Sequence, residues 1–293
     1  MKALNLARRG VQATVLATLF LAPALQMWTV GSTTRWSPAE LELRYGPLAA
    51  ATVGGLQQTL GDPPEAWVGA VVGGPWAMRF GPLELIDPIA LLGQLRWAPP
   101  MALVLGGLLV LALHALFGRA FCGWMSPYGT LSRLISRLRP PFALKGELRG
   151  WPRYALLAAA ALLPLAGASI AAWLPYLGVG RLFQSLWFGG VELAAVAVLI
   201  PLVSDWLLWE HGVCRSLCPS GALQRLVARF RVVRLVPLRK APCQAHCHDC
   251  AESCWLGLDP RAGKPGDDCD SCGRCIGVCP SNRLALGRPR KAA

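Results

Sequence analysis

Four long apolar stretches limit what this chain can fold into more than any other feature. They run from Val11 to Val30, Met101 to Phe117, Tyr154 to Leu174 and Val191 to Trp209. Each is long enough, alone or with its flanks, to cross a hydrocarbon core about 30 Å thick at roughly 1.5 Å per helical residue. Pro164 and Pro201 fall inside the last two, which lipid-embedded helices tolerate when neighbouring groups re-satisfy the freed carbonyls. With 54% hydrophobic and 15% charged residues, most of the chain belongs in lipid. Lys2, Arg8 and Arg9 ahead of an apolar run containing Ala22-Pro23-Ala24 also suit a signal peptide. A run of about twenty apolar residues exceeds the typical 7–15 of a signal h-region, so an uncleaved first helix is expected.

Positive charge sets the orientation. The amino-terminal tail holds Lys2, Arg8 and Arg9, the loop from Gly118 to Arg153 has seven basic residues against Glu147 alone, and the region from Glu210 onward has fourteen basic residues. The segment from Gly31 to Pro100 has four basic and six acidic residues, and that from Pro175 to Gly190 only Arg181. The positive-inside rule therefore predicts a multi-pass protein with both termini and the 118–153 loop in the cytoplasm. The net charge of +13 is explained by orientation and anionic lipid headgroups. No nucleic-acid module accompanies it, so nucleic acid is not an expected partner.

The predicted cytoplasmic tail carries eight of the eleven cysteines. Cys269, Cys272, Cys275 and Cys279, followed by Pro280, have the C-x2-C-x2-C-x3-C-P spacing of bacterial ferredoxins, in which the fourth thiolate binds the other of two [4Fe–4S] clusters. Cys243, Cys247, Cys250 and Cys254 form a looser C-x3-C-x2-C-x3-C run followed by Trp255. A ferredoxin pairing would put Cys243, Cys247, Cys250 and Cys279 on one cluster and Cys269, Cys272, Cys275 and Cys254 on the other. Which thiol of the looser run binds which cube stays open. Structural zinc uses C-x2–4-C pairs separated by a loop, and disulfides need an oxidising compartment. Neither suits this spacing on this side of a membrane. His246 and His248 sit between cluster cysteines and are expected to face solvent or to hydrogen-bond a sulfur. A tail of about 45 residues is too small for much of a core and is expected to be ordered mainly by its clusters.

Residues 122–139, CGWMSPYGTLSRLISRLR, align without gaps on 214–231, CRSLCPSGALQRLVARFR, with eight of eighteen positions identical. Each copy follows the second helix of a pair, so the membrane part reads as two copies of a helix hairpin. In each copy apolar residues (Leu131, Leu134, Ile135, Leu138; Leu223, Leu226, Val227, Phe230) repeat at helical spacing. This predicts a helix in the headgroup plane with its arginines toward phosphates. The turn before it is C-x3-C-P in the second copy, Cys214 and Cys218-Pro219, and C-x3-S-P in the first, Cys122 and Ser126-Pro127.

Paired turns of this kind, four spans and an eight-cysteine tail resemble the NapH/MauN family of ferredoxin-type membrane proteins, with relatives of this architecture in the NosR and CcoG groups. The Asp87-Pro88 element and His211-Gly212-Val213-Cys214 extend the resemblance over nearly the whole chain, while Ser126 departs from it. The resemblance implies an all-α bacterial inner-membrane protein. It would comprise a four-helix transmembrane domain over residues 1–240 and a ferredoxin-like domain with two [4Fe–4S] clusters over 241–293. It further implies transfer of electrons from the quinol pool, through an iron–sulfur or multihaem partner, toward a periplasmic reductase, nitrate reductase foremost. Maturation or assembly of a client, as in the MauN or CcoG groups, and redox sensing are the alternatives.

The residues offer few places for quinol. Ionisable groups in or beside the spans are His114, Glu192, Asp205, Glu210 and His211, and such groups are functional candidates by default. His114 and Asp205 lie near cytoplasmic helix ends and are the candidate quinol contacts, with an interfacial role as the alternative; Glu192 lies near the opposite face. Cys122, Cys214 and Cys218 would converge if the hairpins are related by a pseudo-twofold. There they would form a redox couple, an extra metal or cluster site, or merely buried small residues shaping a turn. No haem attachment motif, phosphate loop or dinucleotide fingerprint is present. The chain therefore reads as a quinol-dehydrogenase-type relay rather than a complete enzyme.

Overall fold

A computed structural model describes residues 2–34, 37–61, 77–80, 83–94, 98–140, 150–166, 174–188, 193–237, 247–262 and 266–288. The protein is mostly helical, with two short antiparallel strand pairs that the all-α expectation did not contain. Helix α1 (Lys2–Thr34) runs through Pro23, and its stretch Ala3–Trp28 is long and apolar enough to cross a membrane. Met101–Phe117 and Ala195–Leu207 are shorter apolar helices. The third expected span starts as Pro152–Leu162 and tightens to a 3-10 turn at Leu163–Ala166, where Pro164 supplies no amide for the α-ladder. Its remainder lies outside the described residues. Four spans are thus not each present as a full-length helix among the described residues.

The chain forms two compact units, one of residues 1–13, 111–160 and 202–293, the other of residues 14–110 and 161–201. In the second unit, α2 (Pro38–Tyr45) opens with a reciprocal Ser37–Glu40 capping box and leads into α3 (Pro47–Leu60). Leu41, Ala49 and Val53 from these helices pack on Ala24, Met27 and Trp28 of α1 and on Trp187. The Trp187 indole N–H donates to the Phe20 carbonyl at 2.7 Å. Strand β1 (Ala77–Phe80) pairs with β2 (Leu83–Ile86), and Gly106 lies so close to the Glu84 carbonyl that any side chain there would collide with it. Asp87 caps α4 (Pro88–Gln94), its Oδ1 accepting from the Ile89 amide at 2.9 Å and the Tyr176 hydroxyl at 3.0 Å. The Asp87-Pro88 element is therefore a helix start, with a carboxylate cap and proline at the first helical position.

The first unit contains both copies of the repeat and the cysteine-rich segment. In copy one, α5 (Met101–Phe117) leads to α6 (Ala120–Trp124) and α7 (Pro127–Ile135). In copy two, a π-type turn at Val213–Leu217 precedes α8 (Pro219–Ala228). Strand β3 (Arg234–Pro237) pairs antiparallel with β4 (Leu284–Gly287), bracketing the segment that holds all eight tail cysteines. The expected domain boundary at 240/241, with Cys243 and His246, lies outside the described residues.

Candidate functional site

Cys254, Cys269, Cys272 and Cys275 line one small, mainly apolar cavity together with Leu235, Leu258 and Pro260. Three of them come from the tight run and the fourth from the looser run. Backbone amides are aimed at all four sulfurs: Leu256 and Leu258 at Cys254, Ser271 at Cys269, Arg274 at Cys272 and Ile276 at Cys275. Burial pushes these thiols up, Cys269 to about 11 and Cys275 to about 12, and each is opposed by neighbouring thiolate or carboxylate charge. Four crowded thiolates with amide donors are stable only around a cationic centre, which is the donor chemistry of an iron–sulfur cube. Among the described residues no three His, Cys, Asp or Glu are grouped to hold a single metal ion. A cube spreads its thiolates over four irons, further apart than the ligands of one ion.

Of the other expected ligands, Cys250 packs with Leu235, Ile276 and Leu284, and Cys279 Sγ accepts from the Arg283 amide at 3.5 Å. Cys247 is half-buried. His248 meets the Arg261 guanidinium at 2.8 Å on an exposed surface.

The loop carrying the tight run is held by side chains distant in sequence. Asp268 accepts from Arg119 at 3.0 Å, Arg153 at 2.9 Å and Arg225 at 3.0 Å. Burial works against its charge, yet the Arg153 hydrogen bonds and the three guanidinium charges hold its carboxyl below the usual range. Arg231 donates to the carbonyls of Cys269 at 3.1 Å and Gly266 at 2.6 Å, and Arg8 to that of Cys272 at 3.3 Å. The Trp124 indole donates to the Ser271 carbonyl at 3.2 Å. At Gly123 a Cβ would come within 2.8 Å of the Asp270 carbonyl, so this close approach requires glycine.

These contacts revise two expectations. The tail is held by the rest of its unit as well as by whatever its cysteines bind. Arg225 and Arg231 of the repeat face inward, toward the tail, instead of toward phosphates. The physical reason is that carbonyls and Asp268 offer these guanidiniums fixed acceptors. On the apolar faces of these helices Leu138 is 74% and Phe230 64% exposed, while Leu131, Ile135, Leu223 and Val227 are half-buried.

The turn thiols do come together. Cys122 Sγ donates to Gln224 Oε1 at 3.1 Å. Cys214 packs, with Cys254, against the buried group of Trp255, Leu256 and Cys272. Cys122 and Cys218 are both close enough to Cys214 for their charges to oppose its ionisation. Burial pushes Cys218 up to about 12 and raises Cys122 and Cys214 as well, as it does the four thiols of the cavity. Ser126 and Cys218 share one task. Each precedes proline at the head of a helix with nearly the same backbone (φ −62°, ψ 115° and φ −70°, ψ 114°). Each accepts a bond from the amide three residues on, at 3.2 Å from Gly129 and 3.5 Å from Gly221. Serine is the better N-cap, which gives the departure at Ser126 a physical reason.

Asp205 sits in a buried network. It accepts from Ser132 Oγ at 2.7 Å, Tyr128 Oη at 3.0 Å and the Val213 amide at 2.9 Å. With Asp205 ionised, the Ser132 hydroxyl gives it its only proton and so accepts from His211 Nδ1–H at 2.9 Å. His211 has φ +54° and meets the Trp255 ring edge-on at 5.1 Å. The Trp255 indole donates to Asp270 at 2.7 Å, and Asp270 accepts from the Cys272 amide at 3.2 Å. A continuous chain of contacts thus links Asp205 to the cysteine cavity. His114 is not part of it. It is buried against Phe121, and its Nδ1 has no hydrogen-bond partner. Glu192 lies outside the described residues. No local spacing marks Tyr128, Ser132, Arg119 or Asp268 in the sequence. The available signal was a polar residue among apolar ones, since Ser132 aligns with Gln224 in the repeat and both are buried.

A protein-family model described as a 4Fe-4S binding domain matches residues 97–145 and again 191–237. The two matches fall on the two copies of the repeat, and neither includes the eight-cysteine tail. The ferredoxin-type protein NapH of Haemophilus influenzae is 28% identical over 218 residues, covering 67% of this chain and 73% of that protein. NapH of Escherichia coli is 28% identical over 240 residues, covering 72% and 82%. The methylamine utilization ferredoxin-type protein MauN of Methylorubrum extorquens is 32% identical over 195 residues, covering 62% and 67%. No solved structure matches.

Proposed function

We propose that this chain, which belongs to the NapH/MauN family of ferredoxin-type proteins, is a multi-pass membrane electron-transfer subunit. It takes electrons from the quinol pool and passes them toward a periplasmic oxidoreductase, with nitrate reductase as the favoured terminus. When bound, two [4Fe–4S] clusters supply one-electron carriage. Cys254, Cys269, Cys272 and Cys275 would hold one, and Cys243, Cys247, Cys250 and Cys279 the other. The observation that carries this reading is the single cavity lined by three cysteines of the tight run and one of the looser run, the crossing that ferredoxin spacing calls for. The four-span topology draws support from the way the chain divides. It passes between its two units at residues 13/14, 110/111, 160/161 and 201/202, and each passage falls inside one of the four apolar stretches.

Asp205 is the preferred quinol-facing acid, because its hydrogen-bond chain runs through Ser132 and His211 toward Trp255 and the cysteine cavity. Maturation of a client by thiol chemistry would require thiolates that reach outward. Cys122, Cys214 and Cys218 pack inward, against Gln224, Trp255 and one another, and do not supply them.

The test is reduction of the purified, cluster-loaded protein by a quinol analogue, followed through the visible absorbance of its clusters. Saturable reduction that slows in Asp205→Asn is the expected result. No reduction at any quinol concentration would refute the electron-transfer reading.

A further inference from the structure

Cys254 also borders a second cavity, polar and about 350 Å³ in volume, whose wall includes Arg133, Arg137, Arg215 and Arg274 with Trp255 between them. Among the described residues none of these four guanidiniums has a carboxylate within ion-pair distance. Two glutamates share the wall, and Glu210 already pairs with Arg139 at 3.4 Å. The wall therefore carries more basic than acidic side chains.

Arg133 is the sharpest sign that something belongs there. It is 6% exposed, and its guanidinium lies 4.7 Å from the centre of the Trp255 ring. Its Nη1 reaches only a 3.4 Å contact with the Gly123 carbonyl, and its Nη2 has no acceptor at all. Native proteins rarely leave a buried charged donor unmet unless a ligand or ordered water meets it. Trp255 is fixed in place by its 2.7 Å bond to Asp270. Gly257, with φ +67°, lets the Arg215 guanidinium lie against the backbone, where a Cβ would meet it at 3.0 Å.

We propose that this cavity binds a phosphate ester, with buried Arg133 at its floor and exposed Arg137 at its mouth. A carboxylate satisfies one guanidinium fork, whereas the oxygens of a tetrahedral phosphate can engage several at once. The volume exceeds that of a bare inorganic anion and is in the range of small-ligand sites, and the Ser136 and Ser253 side chains on the wall suit a hydroxylated substituent. Two sources share this chemistry, a phospholipid headgroup and a soluble phosphate compound. The helical run that supplies Arg133, Ser136 and Arg137 also carries the bare Leu134 and Leu138, which places lipid within reach. Anion binding here would stand whether or not quinol is the electron donor.

The test uses the full-length, cluster-loaded protein in a maltoside detergent. Inorganic phosphate is titrated by equilibrium dialysis, and lipid retention is measured by native mass spectrometry from nanodiscs of phosphatidylcholine with and without phosphatidylglycerol. One saturable site is expected, at least tenfold weaker in Arg137→Gln and Arg274→Gln and unchanged in Arg229→Gln, an exposed arginine away from the cavity. Retained phosphatidylglycerol that phosphate displaces identifies the headgroup as ligand, and phosphate binding without lipid retention identifies a soluble compound. Absence of saturable binding of either probe, or equal binding by Arg137→Gln, Arg274→Gln and the unaltered protein, would overturn the proposal. Arg137 is exposed, so its substitution leaves the fold intact and the comparison valid.

Discussion

Substituting Asp268 by asparagine tests whether the cysteine loop is clamped by the arginines or by its clusters alone. Asp268 is a quarter exposed, but its partners Arg119 and Arg153 are 2% and 5% exposed. Removing one partner of a buried ion pair costs about 3–5 kcal/mol, because a buried charge is left uncompensated. The Arg225 contact, 39% exposed, adds no more than about 1 kcal/mol. Asparagine keeps a carbonyl oxygen for one bond, which offsets about 1 kcal/mol. A net loss of about 3 kcal/mol favours opening of the loop roughly 150-fold, at 1.4 kcal/mol per decade. The acid dependence follows from the depressed carboxyl of Asp268. Its contribution is fully present above the unfolded value of about 3.9 and fades as pH falls through the lower folded value. The asparagine variant should therefore differ most from the unaltered protein at neutral pH and converge with it in acid. Hydrogen exchange of the amides from Gly266 to Cys272, with iron loss to a chelator followed in parallel, reads the effect. Unchanged exchange and unchanged iron release at pH 7 would refute the clamp.

Three further outcomes follow from the same contacts. Ser126→Cys and Cys218→Ser should each preserve the helix cap and shift stability by well under 1 kcal/mol, while Ser126→Ala should cost about 1 kcal/mol; thermal unfolding measures all three. Loss of cluster reduction in Cys218→Ser with an unchanged melting temperature would show that the thiol is more than a cap. Arg231→Gln removes the donors to the Cys269 and Gly266 carbonyls and should speed iron loss from the cavity cluster more than from the other, which electron paramagnetic resonance can resolve; equal loss from both would contradict it. Ser132→Ala severs Asp205 from His211 and should slow quinol-analogue reduction about as much as Asp205→Asn does, with cluster content unchanged. A normal rate would exclude that chain from the reaction.

The features legible in the sequence were those encoded by local spacing. The intervals between Cys269, Cys272 and Cys275 place three thiols within one short loop and helix, so their convergence needs little help from distant residues. The repeat was legible because Ser126 and Cys218 sit before Pro127 and Pro219 in matching strings, and a capped helix start is also a local structure. What could not be read were the partners far along the chain. Arginine is equally at home beside a lipid phosphate or a buried carboxylate, so amphipathic spacing alone could not turn Arg225 and Arg231 inward. Asp268 looked like one more acid in a polar loop, and only the approach of Arg119, Arg153 and Arg225 makes it the anchor of that loop.

The same docking bears on the role of the turns. Cys214 packs against the residues that line the cysteine cavity, and the Arg119 side chain on the other copy bonds both its carbonyl and Asp268. One guanidinium thus ties the repeated turns to the loop that presents Cys269. On this geometry the repeat forms a buried basic cradle around the small cysteine-rich segment. The same geometry accounts for serine at position 126 beside cysteine at 122 and 214. The cap needs only an acceptor, whereas Cys122 must fit against Gln224 and Cys214 against Trp255.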